Sequence, residues 1–182
     1  MTTLTGSKIS LTSIREADTQ DLYAAFLEID EEGRFMTGTK QKVELEKVRS
    51  FAKRVEKTDS GKYFCIRENE KDRVIGELAI TDIDESNKMA NFRFSIYNQS
   101  NRDQGLGSEA LDLGIGFAFD VLKLNRLELT VYEHNPRALH MYKKRGFHNE
   151  GLMREILYYN GVFHSGFIMS MLKSEYDRLK EE

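Results

Sequence analysis

Asn101-Arg102-Asp103-Gln104-Gly105-Leu106-Gly107-Ser108-Glu109-Ala110 decides how this chain is read. Upstream, Asn91-Phe92-Arg93-Phe94-Ser95-Ile96 alternates polar and apolar residues, as a half-exposed strand does. Downstream, Leu106, Ala110, Leu113, Gly114, Phe117 and Val121 recur at helical spacing. The quoted stretch is therefore a strand-to-helix turn with one arginine and two near-adjacent glycines. The first amides of a helix have no partners inside it, and the helix dipole adds partial positive charge there. Glycine lets the main chain come close and adopt positive φ without a Cβ clash. Such a turn suits a pyrophosphate.

The neighbouring segments build a sheet around this turn. Lys62 to Arg67, Val74 to Asp82 and Met89 to Tyr97 are short runs separated by the polar turns Glu68–Asp72 and Asp84–Lys88. They predict an antiparallel meander. Leu111, Ile115 and Leu122 widen the stripe of the central helix, which predicts burial on more than one side. Arg126 to Tyr132 is a further strand, and Asn135 to Arg145 a further helix with Gly146 as its stop. Phe147 to Tyr158 and Val162 to Leu172 form a hairpin turned at Asn160-Gly161. Tyr158, Tyr159, Phe163 and Phe167 read mostly as hairpin core, with an acceptor pocket or a dimer surface as their alternatives.

Toward the start, Ile9 to Ile14 reads as a strand, and Asp18 as the N-cap of a helix running to about Ile29. Arg34 to Thr39 reads as a loop, and Val43 to Lys57 as an amphipathic helix. Ser174 to Lys180 reads as a short terminal helix. The fold expected is mixed α/β in the order β-α-α-β-β-β-α-β-α-β-β, a mostly antiparallel sheet of about seven strands flanked by helices.

The 182 residues fit one domain, and no linker or repeat divides them. Net charge is −3 at pH 7, so broad nucleic-acid binding is not suggested. Cys65 is the single cysteine, which rules out an internal disulfide framework and reads as a buried, inert thiol. No apolar run reaches the ~18 residues of a membrane span, and the start lacks the apolar core of a signal peptide, so a cytoplasmic location is expected. The four histidines do not cluster with cysteines at metal-ligand spacing, so no metal is expected.

Gly105-Leu106-Gly107-Ser108-Glu109-Ala110 also satisfies the G-x-G-x-x-A dinucleotide fingerprint, with Glu128 near the place of a ribose-binding acid. A doubly wound domain needs repeated βαβ units, however. Only one follows this turn, and an antiparallel meander precedes it.

Two linked segments carry a more specific resemblance. Arg102-Asp103-Gln104-Gly105-Leu106-Gly107 resembles the R/Q-x-x-G-x-G/A signature of the GNAT superfamily of acetyl-CoA-dependent N-acetyltransferases. Asn135-Pro136-Arg137-Ala138, then Tyr142 and Gly146-Phe147, resembles that superfamily's second cofactor segment. The opening Ile14-Arg15-Glu16-Ala17-Asp18 and the final hairpin are similar to the branch holding ribosomal-protein N-terminal and spermidine acetyltransferases. The resemblance implies acetyl-CoA as co-substrate, with backbone amides from Gln104 through Gly105, Leu106 and Gly107 to Ser108 holding its pyrophosphate and Arg102 beside it. It implies that Ser95, Ile96 and Tyr97 pair with the pantetheine arm, that Asn135 and Ala138 contact the cofactor, and that Tyr142 approaches the sulfur. It further implies that the strand ending at Tyr97 splays from the one ending near Tyr132-Glu133-His134.

Amide formation needs a neutral amine, a polarised thioester carbonyl and a proton for the departing thiolate. A lysine-like amine, with a pKa near 10.4, is neutral only on the order of 0.1% of the time at neutral pH. Alignment of the two reactants comes first, and a placed base adds typically about 10²–10⁴-fold. Tyr142 is the leading general acid. Glu77, in Gly76-Glu77-Leu78-Ala79, is the leading base, with Glu133 and His134 as alternatives. Many members of the branch carry glutamate after alanine in the next strand, where this chain has Ala90-Asn91, and an amide cannot titrate. The expected activity is acetyl transfer to a primary amine by direct attack in a ternary complex, with a non-catalytic acyl-CoA-binding module as the alternative. The expected acceptor is a small amine, such as a polyamine, or a protein N-terminus. A homodimer is a candidate assembly, and no membrane partner is expected.

Overall fold

A computed structural model describes residues 2–40, 43–101 and 103–181. The chain opens with β1 (Thr3–Thr5) and β2 (Ile9–Ser13), followed by α1 (Thr19–Leu27), α2 (Glu31–Thr37) and α3 (Leu45–Glu56). The meander is β3 (Lys62–Glu68), β4 (Arg73–Asp84) and β5 (Met89–Ile96). Then come α4 (Leu106–Gly116), which runs on into a π-helical turn at Phe117–Val121, β6 (Arg126–Tyr132) and α5 (Pro136–Lys144). β7 (His148–Tyr159), β8 (Val162–Leu172) and α6 (Lys173–Glu181) complete it.

The strands form one sheet in the order β1-β2-β3-β4-β5-β6-β8-β7. Every neighbouring pair is antiparallel except β5 and β6, which are parallel because α4 carries the chain back to the starting end of the sheet. A doubly wound parallel sheet is thereby excluded. The sheet has eight strands where about seven were expected, because Thr3–Thr5 pairs onto β2. Three residues with a single apolar side chain, Leu4, are too short a run to read as a strand.

Alternation along the strands splits the core in two. Phe64, Leu78, Ile80, Phe92, Leu127 and Leu129 face α4, whose Gly114 lies directly on Leu78 and Phe92. Cys65, Val74 and Tyr97 face α1 and α3, where Leu22, Val48 and Ala52 cover them. At the 25 cal/mol per Å² typical of buried apolar surface, full burial of each large side chain contributes about 1.5–3 kcal/mol. Burial of Cys65 pushes its thiol well above the usual range, so it stays protonated and inert, as the sequence suggests.

Three local expectations are corrected. Asp18 does stand at the N-cap position of α1, but its side chain does not cap the helix. It is buried at the end of the 3₁₀ turn Glu16–Asp18, accepts from the Arg15 amide at 2.8 Å and pairs with Arg67 at 2.9 Å. Arg34 to Thr37 is not loop but the end of α2, which starts at an Asp30 cap bonded to the Gly33 amide (2.6 Å) and stops at Gly38 in the left-handed region. Tyr158 and Phe163 are not hairpin core. They stand 51% and 58% exposed and pack on each other at 4.7 Å.

Candidate active site

The site begins where two strands part. β5 and β6 pair in register only at Met89↔Arg126, Ala90↔Leu127 and Asn91↔Glu128. From Phe92 to Ile96, β5 is bonded on its β4 side, as far as Gly76↔Ile96. Its β6-facing edge is then open for a ligand to add as a strand. A cavity of about 810 Å³ occupies this opening. Its walls come from both faces of the sheet: Phe94, Ile96 and Tyr142 from one, Glu77, Ser95 and Tyr97 from the other.

At the α4 side, Gly105 sits at the N-cap with φ +81°, and no side chain caps the helix. The first amide bonded inside α4 is that of Glu109, to the Gly105 carbonyl at 3.0 Å. The amides of Leu106, Gly107 and Ser108 precede it and have no acceptor within the helix. A Cβ at Gly107 would press on Phe94 at 3.3 Å. The Glu109 carboxylate ties this end of α4 to the start of β2, accepting from the Lys8 amide (2.9 Å) and the Ile9 amide (3.2 Å). Lys8 Nζ donates to the Gln104 carbonyl at 2.9 Å, which places a cation at the turn. Arg137, from the first turn of α5, pairs with Asp103 of the turn at 2.9 Å.

Of the residues singled out in the sequence, Glu77, Ser95, Ile96, Tyr97, Gly105, Gly107, Ser108, Asn135, Ala138 and Tyr142 all line the cavity. Leu106 does not. Its side chain is in the core, and only its backbone belongs to the turn. Gln104 is exposed, with its amide on the Ser100 carbonyl. Arg102 lies outside the described residues. Asn135 turns out to work for the fold: its Oδ1 caps α5 by accepting from the Ala138 amide (3.1 Å), and its Nδ2 donates to the Met36 carbonyl (3.4 Å).

Tyr142 is 6% exposed and meets Phe147 edge-on at 5.7 Å. Burial raises its phenol above the usual range, only partly countered by Arg145, so the hydroxyl holds its proton at any working pH. Glu77 reaches the cavity through an irregularity in β4. The register with β3 runs Ile66↔Gly76 and then Arg67↔Val74, skipping Ile75. The extra residue resets the alternation, so Ile75 packs toward α4 while Glu77 turns to the α1 side. Burial raises the Glu77 carboxyl above the usual range, against the lowering effects of Arg93 and Tyr97. Glu133 and His134 do not line the cavity. The Glu133 carboxylate accepts from the Ser165 amide at 2.8 Å. His134 is stacked on Phe35 (3.8 Å) and Tyr132 (5.4 Å), and its Nε2 donates to the Phe35 carbonyl at 3.0 Å.

Sequence reading missed the α2 wall, from which Gly33, Met36 and Thr37 line the cavity. Its start and stop signals, Asp30 and Gly38, were in the sequence, but the segment is too short to show a helical period.

Residues 8–148 match the family model described as an acetyltransferase (GNAT) domain. The chain belongs to the GNAT acetyltransferase family and is an acetyl-CoA-dependent acetyltransferase. It is 28% identical over 129 residues, 71% of each chain, to the probable N-acetyltransferase YjcK of Bacillus subtilis. It is 29% identical over 101 residues to the spermidine N(1)-acetyltransferase of Escherichia coli K12, spanning 56% of this chain and 54% of that one. The chain thus aligns with about half the length of that enzyme. Among solved structures, a spermidine N-acetyltransferase of Vibrio cholerae in complex with CoA and spermine superposes with a TM-score of 0.83 at 19% identity, covering 94% of this chain and 99% of that one. A GCN5-related N-acetyltransferase from Brucella melitensis gives 0.84 at 20% identity, covering 99% and 82%. Both likenesses concern the fold.

Proposed function

We propose that this protein transfers the acetyl group of acetyl-CoA to a primary amine of a small molecule, a polyamine first among candidates, by direct attack within a ternary complex. The observation that carries this reading is the opening beyond Asn91↔Glu128, with uncapped α4 amides on one side of the sheet and the Glu77 carboxyl on the other. The diphosphate sits on the amides of Gln104 to Ser108. The pantetheine arm adds to the free edge of Ser95–Tyr97, alongside Asn135 and Ala138. This aims the thioester through the sheet toward Glu77.

An ammonium acceptor gives one N–H proton to the Glu77 carboxylate. The neutral nitrogen then attacks the thioester carbonyl carbon, forming the C–N bond. As the tetrahedral adduct collapses, the C–S bond breaks and the electron pair leaves on sulfur. The second N–H proton passes to solvent, and the thiolate is protonated. A raised Glu77 pKa suits a base that works near neutrality. The raised Tyr142 pKa makes full proton transfer to a thiolate, with a conjugate acid near 8.5, uphill. Tyr142 therefore acts mainly by donating a hydrogen bond to the developing thiolate. Glu32 and Glu77 along the cavity favour a cationic acceptor, with the exposed Arg93 as an opposing charge on the same lining.

The test is release of free CoA thiol from acetyl-CoA with spermidine, a peptide bearing a free N-terminus, and uncharged-tail alkylamines. Turnover that favours spermidine is expected. No thiol release with any amine, despite acetyl-CoA binding, refutes the reading.

A further inference from the structure

We propose that the Tyr97 hydroxyl is the hydrogen-bond donor that holds and aims the Glu77 carboxylate during proton removal from the amine, making Tyr97 a positioning residue of the reaction. The inference rests on the base role given to Glu77 above. Tyr97 is 3% exposed, and its buried hydroxyl has no partner within ordinary hydrogen-bond geometry, yet it lies close enough to Glu77 to lower that carboxyl. Buried hydroxyls are nearly always bonded, so a hydroxyl left just short of full geometry beside a carboxyl is placed to tighten onto it when that carboxyl is charged. The ring does not need the hydroxyl for its place. It stacks on Phe26 with centroids 4.7 Å apart, and the Tyr97 amide donates to the Ile75 carbonyl at 3.0 Å. Phenylalanine would satisfy every one of these ring and backbone contacts.

Among the described residues, Glu77 is the carboxylate beside this hydroxyl: Tyr97 follows Ser95, the register partner of Glu77, by two residues and so shares its side of the sheet. Tyr97 and Glu77 line the same cavity on the α1 side of the sheet, and each acts on the other's ionisation. Burial and the Glu77 charge hold the phenol far above its usual range, so it donates and never loses its proton. The other ionisable groups around Glu77 do not replace it. Cys65, the register partner on β3, is buried and protonated, with Arg67 beyond it tied to Asp18 and Asp21. Arg93 of β5 lines the same cavity and its charge lowers the Glu77 carboxyl, but it is exposed and screened by water, and Glu32 of α2 is a carboxylate with no proton to donate. From α1 the cavity receives the ring of Phe26. A carboxylate withdrawn from water needs a donor on one oxygen to leave the other aimed at the ammonium, and the Tyr97 O–H fits that need.

The experiment compares pH profiles of kcat/KM for the wild type, Tyr97→Phe and Glu77→Gln with spermidine at saturating acetyl-CoA. A neutral donor lost from a charged acceptor moves a pKa by about one unit or more. Tyr97→Phe is expected to shift the acid limb upward by about one pH unit, losing about tenfold in kcat/KM below it. Its KM for acetyl-CoA stays as in the wild type, and its unfolding midpoint is unchanged or higher. NMR titration of the Glu77 carboxyl carbon reads the same upward shift without turnover. If Glu77→Gln abolishes the limb while Tyr97→Phe leaves limb and titration in place, the Tyr97 role is overturned and the base reading stands. If Glu77→Gln keeps the wild-type limb, the base assignment fails and takes this inference with it.

Discussion

The backbone approach at Gly76 offers a quantitative test of how the site is positioned. A Cβ built there would lie 2.1 Å from the Ser95 carbonyl oxygen and 3.2 Å from the Ile96 Cα. Real Cβ atoms keep at least 3.0 Å, so Gly76→Ala must push β4 and β5 apart by the difference, 3.0 − 2.1 = 0.9 Å. The obstacle is main chain in a hydrogen-bonded ladder, so no rotamer change relieves it. Overpacking of this kind costs typically about 1–3 kcal/mol. The displaced segment is the one that pairs Glu77 with Ser95 and presents the free edge of β5. Misplacement by about 1 Å can cost about 10²-fold in rate. Urea unfolding of Gly76→Ala is expected to show a lower midpoint with an unchanged slope, and thiol release a kcat/KM lowered by one to two orders of magnitude. Gly114→Ala is the control. Its Cβ would meet Leu78 Cδ1 at 2.4 Å, the far end of a flexible side chain away from the opening. It is expected to lose some stability yet retain turnover in the fraction that stays folded. A Gly76→Ala protein with wild-type midpoint and turnover would refute the claim that this close approach sets the strand geometry.

Three further outcomes follow from the same geometry. Gly105→Ala places a Cβ at φ +81°, a strain of about 1–2 kcal/mol, and calorimetry is expected to show weaker acetyl-CoA binding with the fold retained. Tyr142→Phe is expected to lower kcat about tenfold or more without moving the acid limb of the pH profile, because the buried phenol does not ionise in that range; an unchanged kcat removes it from the thiolate. Arg126, with Ser170, holds the Glu150 carboxyl down to about 2 from 4.5. Its contribution is complete above the unfolded value of 4.5 and is lost as pH falls toward 2. Glu150→Gln should therefore flatten the acid side of the urea-midpoint curve across that window and leave an acid limb only from other carboxylates.

The sequence by itself determined the elements whose cause is local. Strand alternation from Asn91 to Ile96, the helical stripe from Leu106 onward, the Asn160-Gly161 turn and the stop at Gly146 all depend on near neighbours, and the structure has each of them. The glycine turn ahead of α4 was legible for the same reason, since a glycine in the left-handed region and a run of amides without acceptors in the helix are properties of a few consecutive residues. Tertiary structure alone decided where β5 leaves β6, because periodicity assigns a face to a side chain but not a partner to a strand edge. It alone turned Glu77 into the cavity, through one skipped residue at Ile75 that depends on pairing with β3. It also laid α2 across the opening, brought Tyr97 to Glu77, and drew the Asn135 side chain into capping α5 and bonding α2. Those contacts join segments far apart in the chain, and their strength comes from shared exclusion of water, which no single segment encodes.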